Sequence, residues 1–152
     1  MAITQRQKTL VTNSFVEVEK ISDVAASIFY KKLFEYDPSL KKLFKHDIKS
    51  QGRKLMSALK LAVSSLSNLD ALVPVLQKMA VKHVDYGVKA EDYTPVGNAL
   101  LFALSKGLGE AFTREVKQAW IAVYKTVATV MRQAAYPSYN ANTFKNMKHY
   151  VH

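Results

Sequence analysis

From Leu10 to Met131 the apolar residues of this chain return at steps of three and four in one segment after another, and no stretch alternates with the period of two that a strand requires. That periodicity predicts an all-α domain, since helices with one apolar stripe must bury it against one another. At 152 residues a single core stands without staples, which matters because the chain has no cysteine. Thiolate catalysis, iron-sulfur clusters and thiolate zinc sites are thereby excluded.

Local signals place the helices. Thr4 and Gln7 have the form of a capping box, and Leu10, Val11, Phe15, Val18 and Ile21 follow it, which predicts a helix over 4–19. A second begins near Ser22 or Asp23 with Ala26, Phe29 and Leu33 on its apolar face, together with Tyr30, whose hydroxyl needs a partner if buried. Asp37 and Pro38 are an N-cap and a first-turn proline for a short turn carrying Leu40, Leu43 and Phe44. Ile48, Gly52, Leu55, Leu59, Ala62 and Leu66 then mark an amphipathic helix with Gln51 at the edge of its face. Gly52 is unfavourable in a helix interior, so the close approach of a crossing helix is expected there, with Ala26 as the small partner. A helix over 70–86 ends at Gly87, with Pro74 disturbing its first turns; another, from near Asp92, carries Tyr93, Val96, Leu100 and Leu104. The last long helix is capped by Thr113 and lined by Val116, Trp120, Val123, Tyr124, Val127 and Met131. Residues 1–136 are expected to form the domain and 137–152 a basic tail, frayed or weakly docked.

One residue breaks its own stripe. Leu72, Leu76 and Met79 recur at helical spacing, and the next position of that row is His83. A lone histidine there is most simply a core side chain bonded to a backbone carbonyl, and only a second polar intruder facing it changes the reading. Tyr30 and Gln51, with Phe44 between them in sequence, supply such intruders on other inward faces. A neutral imidazole at the end of an apolar row suits a haem iron, and a phenol and an amide opposite it are donors for a bound diatomic ligand.

At these residues the chain resembles the globins, specifically the single-domain bacterial haemoglobins and the globin domain of flavohaemoglobins, with neuroglobin more distant. The resemblance is carried by Phe29-Tyr30-Lys31-Lys32-Leu33-Phe34, Asp37-Pro38 through Leu43-Phe44, Gln51-Gly52-Arg53-Lys54-Leu55, Val81-Lys82-His83 through Gly87-Val88, Tyr93-Thr94-Pro95-Val96-Gly97, and Ala119-Trp120 with Tyr124, in the family's order over about residues 4–133. It implies a three-on-three helical sandwich around haem b (iron protoporphyrin IX), with His83 as the proximal iron ligand. Phe44 would pack on the haem face, and Gln51 and Tyr30 would be the distal residues. Leu33, Phe34, Leu55, Met79, Val88, Tyr93 and Val96 would wall the pocket. Lys54, with Lys49, Arg53 and Lys82, is a candidate to pair with haem propionates or to dock an acidic reductase. His46, Tyr30 and Lys54 are alternatives for the sixth iron position in the absence of ligand.

Two departures qualify the resemblance. No flavin or nicotinamide motif follows the globin-like span, and the one Gly-x-Gly, Gly107-Leu108-Gly109, lacks the third glycine of a dinucleotide loop. In the bacterial relatives a glutamate late in the last helix joins a tyrosine and the proximal histidine in a hydrogen-bond network; its equivalent here is Ala135, although Tyr93 is kept. Weaker electron donation through His83 is therefore expected. The implied function is reversible binding of O2, and also of NO and CO. The alternatives are an NO dioxygenase that takes electrons from an external reductase, and a haem-free interaction module, against which the retained His83, Phe44 and Gln51 argue. A net charge of +10 is spread along the chain and matches no nucleic-acid reader, so none is expected as a partner. No apolar run reaches the length of a membrane span and no leader is apparent, so a cytoplasmic monomer or homodimer is expected.

Overall fold

The computed structural model describes residues 3–44, 47–136 and 139–140, so His46, His149, His152 and nearly all of the expected tail lie outside the described residues. Among the described residues six α-helices follow in order: α1 (Gln5–Glu19), α2 (Ser22–Tyr36), α3 (Ile48–Ser64), α4 (Leu69–Asp85), α5 (Tyr93–Leu108) and α6 (Arg114–Ala135). Short 3-10 helices occupy Pro38–Leu43, Ala90–Asp92 and Gly109–Ala111. Among the described residues there is no strand.

The helices start where side chains satisfy their free N–H groups. The Thr4 hydroxyl accepts from the Gln7 N–H while the Gln7 side chain accepts from the Thr4 N–H. Asn68 caps α4 by accepting from the Ala71 N–H, Thr113 caps α6 by accepting from the Val116 N–H, and Asp37 caps the turn that Pro38 opens. Pro74 falls inside α4 without ending it. Its ring removes one N–H, the donor that Asp70 O would otherwise receive, near the end where such losses cost least.

Two apolar clusters result. The larger joins α1, α2, α5 and α6 around Phe15, Phe29, Leu33, Leu104 and Trp120, with Trp120 Nε1 donating to Ser14 Oγ at 2.9 Å. The smaller joins α4 and α6 around Leu72, Leu76, Ala80, Tyr93 and Met131. The packing of α2 on α3 follows the glycine argument: a Cβ on Gly52 would meet Ala26 Cβ at 3.0 Å, so the two helices touch where both side chains are minimal.

Three expectations are corrected. The helix expected to carry Leu66 ends at Ser64, because its last turn tightens to shorter bonds, and Leu66 is buried beyond that end. Ile48, placed on the inward stripe, is exposed, since it opens α3 before the crossing at Gly52. The helix α5 buries not one stripe but nearly its whole surface, Thr94, Asn98, Leu101 and Ala103 included, because α2, α1 and α6 all pack on it.

Candidate functional site

The site residues are carried by elements that pack in different directions. Helix α3 lies on α1 and α2, whereas α4 lies on α6. Inward positions between these two groups are therefore not closed by a direct helix pair. Phe34, Phe44, Gln51, Leu55, Met56 and Leu59 on one side, and Met79, His83 and Val88 on the other, are half-buried, as the walls of a cleft are. Gly87, at the end of α4, reaches the other side: a Cβ there would lie 3.2 Å from Leu43, next to Phe44.

On the α2–α3 side the expected residues come together. Tyr30 is buried; its ring meets Phe29 edge-on at 4.9 Å, Phe44 edge-on at 5.3 Å, and Phe34 at 6.1 Å. Phe34 and Phe44 are 5.6 Å apart. The partner that the Tyr30 hydroxyl required is the main chain of Gln51: Oη donates to Gln51 O at 3.2 Å. Burial pushes the phenol up to about 12, so it keeps its proton and remains a donor at neutral pH. Leu33 is wholly buried in the larger cluster together with Tyr30, and Leu55 and Val96 pack on that cluster at its surface.

On the α4 side His83 is held by its own helix. Its Nδ1 lies 2.7 Å from Met79 O, one turn back, and since a carbonyl only accepts, Nδ1 carries the hydrogen. Burial pushes the imidazole below its ordinary range, opposed in part by that bond to Met79. The ring is therefore neutral, with the lone pair on Nε2. Among the described residues no three His, Asp or Glu side chains gather as a metal cluster.

Met79, Val88 and Tyr93 belong to the smaller cluster with Ala135. Tyr93 Oη is buried and has no hydrogen-bond partner among the described residues, and burial is the main cause that raises its phenol. The Ala135 side chain has no group that could accept from it. Lys54, with Lys49, Arg53 and Lys82, is exposed.

Sequence reasoning did not single out Met56, which packs on the larger cluster, nor the buried Arg132 beside Tyr93. Arg132 had a signal: it falls four residues after Ala128, on the edge of the α6 stripe. A further hollow of about 370 Å³, lined by Lys8, Thr12, Asn13, Val63 and Ser67, opens between α1 and the end of α3, away from these residues.

Comparison with known proteins gives the family. The globin family profile matches residues 27–131. The flavohemoprotein of Halalkalibacterium halodurans is 31% identical over 134 residues, covering 86% of this chain and 33% of that protein. The chain thus spans about a third of the length of the flavohemoproteins it matches. The neuroglobin of Danio rerio is 28% identical over 143 residues, covering 85% of this chain and 90% of its own. Among solved structures, an engineered carbene transferase made from a candidate nitric oxide dioxygenase of Rhodothermus marinus superposes with a TM-score of 0.78 at 29% identity, over 87% of this chain and 92% of that one. By sequence and by fold, the chain belongs to the globin family.

Proposed function

We propose that the chain holds haem b with His83 as its iron ligand and binds O2 reversibly in the cleft between α3 and α4. The observation that carries this reading is the state of His83: neutral, its tautomer fixed by Met79 O, its Nε2 lone pair available. A single imidazole fits a metal whose other ligands come from a macrocycle, and half-buried Phe44, Leu55, Met79 and Val88 are the apolar surfaces against which a flat hydrophobic group packs. Bound haem supplies an iron that takes up diatomic gases and can be oxidised and reduced.

The protein residues do the rest. Phe34, Phe44, Leu33 and Val96 exclude water. Tyr30 and the Gln51 side chain offer donors to a polar diatomic ligand. For Tyr30 this is an exchange, since its only hydroxyl hydrogen already serves Gln51 O. Lys54, Arg53, Lys49 and Lys82, exposed on the two elements that flank the cleft, suit carboxylates, either haem propionates or an acidic protein surface.

A second reading rests on the same distal pair and on the flavohemoprotein relatives: O2 held by Tyr30 and Gln51 reacts with NO to give nitrate, with electrons returned by a reductase outside these 152 residues. One experiment tests both. Purified protein should show a Soret band and bind O2 and CO reversibly. One equivalent of NO added to the oxygenated form should give stoichiometric nitrate, with turnover only when a flavin reductase is added. Displacement of O2 by NO without nitrate would leave the carrier and refute the enzyme; absence of a Soret band in protein supplied with haem would refute both.

A further inference from the structure

The hollow between α1 and the end of α3 has a chemistry of its own. Gln5, Lys8, Thr9 and Thr12 are spaced three and four residues apart, so α1 turns one polar row toward α3. Across from that row α3 ends at Ser64, and Ser67 stands beyond its last turn. Val63 and Leu66, both buried, give the hollow an apolar floor. Its volume of about 370 Å³ falls in the range of small-molecule sites. At roughly 30 Å³ for each water-sized group, about a dozen non-hydrogen atoms fill it.

The polar groups around it sort into two kinds. Thr9 Oγ1 donates to Gln5 O at 3.0 Å, Thr12 Oγ1 to Lys8 O at 2.8 Å, and Ser64 Oγ to Leu61 O at 3.1 Å. Each of these hydroxyl hydrogens is spent on its own helix, so what the oxygen offers an occupant is a lone pair. Lys8 is the opposite kind, a donor and a cation. It is half-buried, it is the one charged side chain among the described residues that line the hollow, and no described residue pairs with its ammonium. Arg6 and Lys60, on the same two helices, are matched by Glu115 and Glu19. The carbonyl end of α3 lies on the same rim and disfavours a second negative charge there.

We propose that the hollow is a binding site for a small polyol carrying one anionic group, a phosphate or a carboxylate. The anion pairs with Lys8, the ligand hydroxyls donate to the oxygens of Thr9, Thr12 and Ser64, and the carbon chain lies on Val63 and Leu66. A bare anion leaves the three lone-pair oxygens and the apolar floor unused, and an uncharged polyol leaves Lys8 unmatched. The site involves none of the residues assigned to haem, so it stands or falls apart from the proposed function.

The test follows the amide chemical shifts of the isotope-labelled full chain at fixed ionic strength. Four probes are titrated: glycerol 3-phosphate and glycerate, which share a carbon skeleton and differ in the anion, and glycerol and inorganic phosphate, which each lack one half of the recognition. The amides of residues 8–13 and 64–68 should shift along saturating curves with at least one of the two anionic polyols, and the better of them should bind about tenfold or more tighter than glycerol or phosphate. Lys8→Gln should weaken that binding about tenfold or more, and Thr12→Val, which keeps the shape of the side chain, about two- to tenfold. Thr12 is exposed and Lys8 half-buried, and urea midpoints check that both variants fold as the wild type does. Saturation by neither anionic polyol, equal affinity for inorganic phosphate, or undiminished binding in a folded Lys8→Gln variant would each overturn the proposal; should that variant not fold, the comparison of the four probes on the wild type decides alone.

Discussion

Replacing Tyr30 by Phe isolates one hydrogen atom. The ring contacts to Phe29, Phe34 and Phe44 remain, and what disappears is the Oη donor that now bonds Gln51 O at 3.2 Å. A hydrogen bond to an acceptor carrying charge contributes roughly 1.5 to 3 kcal/mol, against roughly 0.5 to 1.5 for a neutral pair. O2 held as proposed would carry partial negative charge, so Tyr30 would gain by turning to it, but it would first give up the carbonyl. The difference is about 1 kcal/mol, which is about five- to tenfold in an equilibrium constant. Tyr30→Phe should therefore speed O2 dissociation about five- to tenfold, measured by stopped-flow displacement with excess CO. CO dissociation should change less than about twofold, because that ligand is less polar when bound. Gln51→Leu should act in the same direction, and the double change should fall short of the product of the two, since both donors address one ligand. No change in O2 dissociation would refute the distal role of Tyr30. An increase of about a hundredfold or more would refute the exchange argument, showing that the hydroxyl serves the ligand without leaving Gln51 O.

The remaining predictions concern the ligand, pH and packing. His83→Ala should lose haem on a desalting column and regain a Soret band when imidazole is added; normal retention without imidazole would remove His83 as the ligand. Because burial raises the Tyr30 phenol from 10.0 to about 12 in the fold, its contribution is fully present below pH 10 and is lost as pH rises through about 12, by an amount on the order of 2 kcal/mol. Urea midpoints between pH 8 and 12 should thus fall less steeply for Tyr30→Phe than for the wild type, and equal slopes would count against that burial. Gly97→Ala should cost about 2 kcal/mol or more by driving a methyl group into the Tyr124 ring, seen in urea unfolding; a neutral result would mean that the ring shifts freely and that its bond to Tyr93 O is dispensable.

Much of this was legible in the residues, because the signals were local. Caps at Thr4, Asp37 and Thr113 and the stop at Gly87 depend on neighbours in sequence, and each element begins or ends where they point. Gly52 against Ala26 was legible because a glycine inside a helix demands a steric reason. The bond from His83 to Met79 O was legible because residues four apart share a helix face. What sequence did not reveal depends on three-dimensional neighbours. That α5 is buried all round follows from its place among three helices, not from its own periodicity. That Tyr30 spends its hydrogen on the main chain of Gln51, and that Arg132 reaches Ala90 O, are pairings 21 and 42 residues apart in the chain that no spacing rule encodes.

The contact between Gly52 and Ala26 has an effect on how such a pocket can diverge. Gly52 directly follows Gln51, and Ala26 lies one helical turn before Tyr30, so the spot where α2 and α3 touch is also the reference from which both distal side chains are measured. Any larger residue at either position would spread the helix axes and carry Tyr30 and Gln51 apart together. On the proposed function, robustness of the scaffold and selectivity among gases are consequently bound to a single pair of positions. A lineage could retune the affinity of this cleft through Tyr30 or Gln51 one at a time, but not by enlarging the crossing between them without changing both.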